Sequence, residues 1–212
     1  MIERIKQFIW GPPGEHYWIH RKANDWRDDW EAGVDNWLES YWSSRFHPHR
    51  DLILTVLKMR PFDSLLEVGC SCGPNLARIQ AEFPESKLFG LDINSPSIQE
   101  AKKILPKVEF KVGKVTNLPY TRTFDVILAD AVLMYVPPKD IYQAIEEMAY
   151  RANKIVLVEF FSEKEAGELK HGHWAYNYPK LLEAHGFTVE KIKITPELWP
   201  AKNWTESGYV FV

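Results

Sequence analysis

From about residue 63 onward the chain alternates short apolar runs with longer stretches of helical period. The apolar runs cover residues 64–68, 87–91, 108–112, 124–129 and 155–160. Most are continuous rather than alternating, which is the pattern of strands covered on both faces. Between them, residues 75–83, 97–105, 139–150 and 176–185 repeat apolar positions at helical spacing. Strand–helix alternation of this kind predicts a parallel sheet with right-handed crossovers. Residues 188–194 and 208–212 then follow with no full helix between them, and they predict an antiparallel hairpin at the sheet edge.

The first part of the chain has a different texture. Trp10, Trp18, Trp26, Trp30, Trp37 and Trp42 crowd into it, with few aliphatic residues. On a helical wheel Trp26, Trp30, Trp37 and Tyr41 share one face with Val34 beside them, and Arg27, Asp28, Asp29, Glu31, Asp35 and Glu39 lie between. An aromatic stripe on a charged helix has to be buried. It packs on the sheet domain as structure, or it closes an active site as a lid, and the two are compatible. The expected division is a helical cap over residues 1–56 and a sheet domain over residues 57–212.

Composition narrows the class. With 212 residues, 45% of them hydrophobic, the chain fills one domain with a small appendage and is not intrinsically disordered. Two cysteines, Cys70 and Cys72, exclude a disulfide scaffold and a cysteine-rich zinc module, and they fit a reducing compartment. A net charge of -3 disfavours nucleic acid as the main partner. No apolar run is long enough to span a bilayer. The first ten residues carry charges where a secretory signal needs an apolar core, so a cytoplasmic location is expected.

The informative segment runs from Ser64 through Glu67, Gly69, Cys70, Ser71, Cys72 and Gly73 to Pro74 and Asn75. It is an apolar strand, a turn of small residues and a helix start. Gly69 and Gly73 permit a sharp turn and a close approach of backbone to ligand, and Pro74 suits the first helical turn. A dinucleotide fingerprint would place glycine at positions 71 and 74, where Ser71 and Pro74 stand. Pro74 also removes an N–H from the helix start that would hold a pyrophosphate. A nucleoside without phosphates loses little from it. One strand later, Asp92 offers a carboxylate to both hydroxyls of a ribose.

These residues resemble the class I S-adenosylmethionine-dependent methyltransferases over about residues 50 to 212. Glu67-Val-Gly69-Cys-Ser-Cys-Gly73 resembles that family's acidic, glycine-rich turn, and Asp92 matches its ribose-binding acid. Residues 112–120 resemble the loop that holds the adenine. Residues 124–136, with Asp130 and Tyr135, resemble the fourth strand and the loop facing the methyl group. Gly186-Phe187 before the last two strands resembles the family's ending. The resemblance implies a doubly wound α/β fold with a seven-stranded, mostly parallel sheet of order 3-2-1-4-5-7-6, the last strand antiparallel. It also implies S-adenosylmethionine as cofactor, held by Glu67, Gly69, Cys70, Gly73, Asn75, Asp92, Ile93, Val115 and Asp130. Tyr17, Trp18 or Trp42 would offer the sulfonium an aromatic face if the N-terminal segment folds over it, and Trp42 is carried as the cofactor-binding candidate. Two departures stand out. Ser71 replaces the turn's central glycine, and Lys114 stands where the family often has an acid to read the adenine amino group. A lysine cannot accept that hydrogen bond, so the contact falls to the backbone near Val115 or to Thr116 or Asn117.

The family's reaction needs alignment more than acid–base help, though an oxygen or nitrogen nucleophile can use a base. Tyr135, His171 and His173 are the candidate catalytic residues; the histidines lie in the insert spanning residues 160–178, beside Glu159. The pairs His47/His49 and His171/His173 are not expected to hold a metal. Arg45 and Arg50 are candidates for an anionic group, against the plainer reading of surface arginines. No Asp/Asn-Pro-Pro-aromatic segment follows the fourth strand, which argues against base methylation of nucleic acid. The expected activity is methyl transfer to an oxygen or nitrogen of a small molecule, a sugar or other metabolite, by a monomer or homodimer. A protein substrate, a non-catalytic cofactor-binding domain and, behind them, a dehydrogenase are the alternatives.

Overall fold

The computed structural model describes residue 12, residues 14–22 and residues 37–212. Trp26, Trp30 and Val34 of the expected aromatic stripe, and Trp10, lie outside the described residues. The strands are β1 (Ser64–Val68), β2 (Lys87–Asp92), β3 (Glu109–Val112), β4 (Phe124–Asp130), β5 (Ala152–Phe160), β6 (Glu168–Lys170), β7 (His173–Ala175), β8 (Lys191–Lys193) and β9 (Gly208–Phe211). Seven of them form one sheet in the order β3-β2-β1-β4-β5-β9-β8, and β6 and β7 pair separately. All neighbours are parallel as far as β5, and β9 runs antiparallel to both β5 and β8. Apart from the inserted β6–β7 pair, this is the predicted order.

Helices α1 (Glu15–His20), α2 (Trp37–Ser43), α3 (His49–Lys58), α4 (Pro74–Glu82), α5 (Ser95–Ile104), α6 (Ile141–Arg151), α7 (Tyr178–Glu183) and α8 (Lys202–Ser207) complete the chain. Successive strand residues face opposite sides of a sheet, so each strand feeds two cores. Leu65, Val126 and Val156 pack with Ile53 and Leu57 of α3, Leu76 and Ile79 of α4 and Ile98 of α5. Leu66, Ile127 and Leu157 pack on the other side with Ile145 and Met148 of α6 and Leu181 of α7. Burial on both faces is why these strands read as continuous apolar runs. The expected boundary between residues 56 and 57 falls inside α3, whose Val56 and Leu57 are fully buried in the first core.

Two segments differ from the sequence reading. The last two strands of the sheet are not joined directly: the connection includes α8, whose Trp204 is buried and stacks on Trp199 with ring centroids 3.9 Å apart. Six residues are too few to show helical period. Within residues 160–178, β6 and β7 form a hairpin around His171 and Gly172, at φ 52° and 79°. Two consecutive positive φ values are the signature of a two-residue type I′ turn, whose twist suits antiparallel strands. Among the described residues no helix is long and apolar enough to cross a membrane.

Candidate active site

Because β1, β2 and β4 are parallel, their carboxyl ends meet at one edge of the sheet, the usual place for a ligand in an open α/β fold. A cavity of about 450 Å³ opens there, lined by Gly69 and Ser71 after β1, Asp92 to Asn94 at β2, Gly113 to Thr116 after β3, and Asp130 to Val132 at β4. A groove of about 560 Å³ at the opposite edge, lined by Lys87, Pro106 and Glu109 among others, holds none of the motif residues.

The turn after β1 is shaped by left-handed backbone. Gly69, Ser71 and Gly73 have φ of 69°, 49° and 87°. A Cβ on Gly69 would lie 2.2 Å from the Val132 side chain, and one on Gly73 would lie 2.8 Å from Leu105. These glycines therefore admit neighbouring side chains of the protein itself, beyond the approach of a ligand that their spacing suggested. The strained Ser71 turns its N–H toward β2 and donates to Asp92 Oδ2 at 2.8 Å; the Asn94 N–H donates to Asp92 Oδ1 at 2.8 Å. Burial raises the Asp92 carboxyl pKa, against the lowering effect of these backbone hydrogen bonds. A carboxylate offers about four acceptor sites, so both oxygens keep capacity for a diol.

Asp130 sits in a denser network. Its Oδ2 accepts from His49 Nε2 at 2.9 Å, Arg50 Nη1 at 3.1 Å and Asn75 Nδ2 at 2.9 Å. Burial pushes this carboxyl up, but His49 and Arg50 beside it and the hydrogen bonds prevail and hold it well below the usual carboxylate range. Its Oδ1 is buried with no hydrogen-bond partner among the described residues. Asn75 also donates to Glu67 Oε1 at 2.7 Å, leaving Glu67 Oε2 buried and without a partner there. Burial pushes the Glu67 carboxyl up to about 8. On β5, the buried Glu159 accepts from the N–H groups of Val132, Leu133 and Met134 at 2.8, 2.7 and 3.1 Å. Burial pushes it too up to about 8, against those three donors. Glu159 thereby shapes the loop after β4.

Residues 65–153 match the family model for the methyltransferase domain. The chain folds as a class I methyltransferase. It is 30% identical over 109 residues to a trans-aconitate 2-methyltransferase of Methylobacterium nodulans, a match covering 51% of this chain and 41% of the relative. It is 23% identical over 142 residues to the Escherichia coli trans-aconitate 2-methyltransferase, covering 65% of this chain and 55% of that one. The chain thus spans about half the length, or less, of these curated relatives. The crystal structure of Synechocystis magnesium protoporphyrin IX methyltransferase with bound S-adenosylhomocysteine superposes with a TM-score of 0.66 at 14% identity, covering 93% of this chain and 95% of that one.

Within this methyltransferase fold the predicted site residues separate into groups. Gly69, Asp92, Ile93, Val115, Asp130 and Tyr135 line the cavity. Glu67, Cys70, Gly73 and Asn75 do not; Glu67, Cys70 and Asn75 are buried behind it. Trp42 also lies away from the lining, against Leu38 and Cys72, with the Arg45 guanidinium 4.7 Å from its ring centre. The aromatic residues that the N-terminal part does bring to the cavity are Trp18 and Tyr41. Arg50 is spent on Asp130 and on Ser44, and Arg45 also donates to the Trp42 carbonyl, so neither arginine lines the cavity.

His171 and His173 stand outside the lining. His171 Nε2 is 3.2 Å from Ser207 Oγ, and His173 Nδ1 is 3.2 Å from the His171 carbonyl. Burial lowers the His173 pKa. Its ring meets Tyr135 edge-on at 5.2 Å. His47 and His49 approach through their Nδ1 atoms at 2.6 Å, and no group of three or more metal-ligating side chains occurs among the described residues.

Three contributors have roles that the sequence reading did not assign. Trp174, next to His173, lines the cavity. Lys114 pairs with Glu15, drawing α1 to the cavity mouth. Asn94 Nδ2 donates to the carbonyls of Trp18 and Arg21 at 2.7 and 2.8 Å, while its Oδ1 caps α5 at Ser97. Asn94 directly follows the Asp92-Ile93 signal, and an Asn before Ser-Pro is a recognisable helix cap. Its second role depends on a segment 70-odd positions away and leaves no local signal.

Proposed function

We propose that this chain is an S-adenosylmethionine-dependent methyltransferase acting on an oxygen or nitrogen of a small molecule, a sugar or other metabolite. The observation that carries the reading is Asp92, held at the end of β2 by the Ser71 and Asn94 N–H groups and facing the cavity. The residues present suit the cofactor. Asp92 keeps acceptor capacity for ribose hydroxyls, residues 113–116 flank a site for a flat base, and the unpartnered Asp130 Oδ1 offers negative charge to a cation. The trans-aconitate 2-methyltransferases, named for a small-molecule substrate, support the substrate class. A cytoplasmic monomer or homodimer that uses no nucleic acid completes the reading.

When bound, S-adenosylmethionine would supply an activated methyl group to the acceptor lone pair, with Asp92 holding its ribose, residues 113–116 its base and Asp130 facing its cationic end, and the acceptor proton would pass to solvent as the product leaves. The protein's part is alignment and exclusion of water. Glu159 sets the loop from Val132 to Met134, and through it the position of Tyr135, which we assign to contact with the acceptor. Trp18 meets the Tyr135 ring edge-on at 4.9 Å and closes the other side. His171 and His173 support Tyr135 and the hairpin in this reading rather than taking a proton. Calorimetry with S-adenosylhomocysteine tests the proposal: micromolar binding (about -8 kcal/mol) that Asp92→Ala abolishes is expected, and no binding by the unmodified chain would sink it.

A further inference from the structure

We infer that the acceptor is an aromatic molecule with an uncharged oxygen or nitrogen nucleophile, and not a polycarboxylate. This rests on the methyl-transfer reading and narrows it. Among the described residues four carboxylates, Glu15, Asp92, Asp130 and Asp140, and two lysines, Lys114 and Lys139, line the cavity; Glu15 pairs with Lys114 and Asp130 with Arg50, which leaves Asp92 and Asp140 against Lys139. Lys114 is paired with Glu15, so it brings no net positive charge. No arginine or histidine is among the described lining residues. Arg50 is engaged with Asp130 and with Ser44, and turning it inward would give up all of these hydrogen bonds. Carboxylates are recognised most effectively by guanidinium forks. A ligand with two or three carboxylates would meet one lysine, Lys139, beside the carboxylates of Asp92 and Asp140, in a partly desolvated space where repulsion is strongest.

What the cavity offers instead is aromatic surface. Trp18, Tyr41, Tyr135 and Trp174 reach it from four separate elements, and Val132 and Pro137 add apolar area. Tyr41 remains 39% exposed, and Trp18, Tyr135 and Trp174 are only half-buried. Rings of this kind hold a flat aromatic ligand by offset or edge contacts and favour a cation over an anion. Trp174 sits at the end of the β6–β7 hairpin, outside the motif turns, and is the specificity-determining residue in this assignment.

The test is calorimetric, on the full chain, with and without saturating S-adenosylhomocysteine. Tryptamine and 2-naphthol are titrated against trans-aconitate. One aromatic probe is expected to bind at least tenfold more tightly than trans-aconitate. Trp174→Ala should weaken that probe at least tenfold, Trp174→Phe should restore most of it, and affinity for S-adenosylhomocysteine should change less than twofold in both. Equal or tighter binding of trans-aconitate, no binding by any of the three, or an unchanged probe affinity in Trp174→Ala overturns the inference while leaving the cofactor reading intact. Failure to bind S-adenosylhomocysteine overturns the methyl-transfer reading instead, and the order of probe affinities without it still decides the chemistry of the cavity.

Discussion

The two walls of the cavity are built in opposite ways. The wall assigned to the cofactor comes from short contiguous turns at strand ends, Gly69 to Ser71, Asp92 to Asn94 and Gly113 to Thr116, and backbone N–H groups of neighbouring turns hold it. The wall proposed for the acceptor gathers Trp18, Tyr41, Tyr135 and Trp174 from segments far apart in the chain. One wall is a property of local backbone geometry, and the other exists only because distant elements dock. A binding site can therefore have one half set by local backbone and another set by the docking of distant elements, joined at a few residues. Asn94 is such a joint: its backbone serves Asp92, and its side chain holds α1.

The largest effect separating the walls is expected from Asp92→Ala. It removes a half-buried acceptor proposed for two hydroxyls, and hydrogen bonds to a charged group are worth about 1.5–3 kcal/mol each. Affinity for S-adenosylhomocysteine should fall about a hundredfold or more by calorimetry. A change under fivefold would mean that Asp92 does not hold the ribose.

Glu159→Ala should act on the fold beneath both walls. It strands three buried N–H groups of the loop after β4, at a cost of about 2–4 kcal/mol in urea denaturation. Glu159→Gln should lose less, because one oxygen remains an acceptor. Asn94→Ala tests the joint itself. Losing the cap of α5 and the bonds to Trp18 and Arg21 should cost about 1–2 kcal/mol. Amide exchange of residues 14–22 should accelerate far more than that of β1 or β4, and equal acceleration everywhere would argue against a separately anchored N-terminal segment.

The smallest expected effect concerns the carboxyls behind the cofactor wall, and it has a pH sign. The Glu67 pKa is raised on folding to about 8. Its contribution is therefore fully present below the unfolded value and is lost as pH rises through about 8. Asp130 is depressed, so its contribution is present above the ordinary carboxylate range and is lost only on strong acidification. Glu67→Gln keeps an oxygen for Asn75 and cannot ionise. It should be close to neutral at pH 5 and more stable than the unmodified chain at pH 9. Equal stability differences at both pH values would place the Glu67 pKa near its ordinary value.

Residues 64–68 were legible as a strand to the residue, and Asp92 was legible as the acid at the end of the next strand. In both cases a parallel strand buried on both faces writes a continuous apolar run, and the turn that follows must use small residues. The order of the sheet came from the resemblance of those turns to a family, and the structure bears it out. The β6–β7 hairpin was not legible, because three-residue strands of mixed polarity carry no period to read. Tyr41, placed by the helical wheel on the aromatic stripe, reaches the cavity, and Trp42, carried as the cofactor candidate, does not. Adjacent residues on a helix point about 100° apart, and only the docking of α2 determines which one meets the cavity.

The sequence by itself determined the strand–helix alternation, the turn after β1 and the acid after β2, since each depends on neighbours within a few residues. Tertiary structure decided that Gly69 makes room for Val132, that Glu159 organises a loop on another strand, and that four scattered aromatic residues share one cavity. Contacts across long sequence separations are selected by the shape of the whole fold. No local pattern encodes which partner a buried side chain will find.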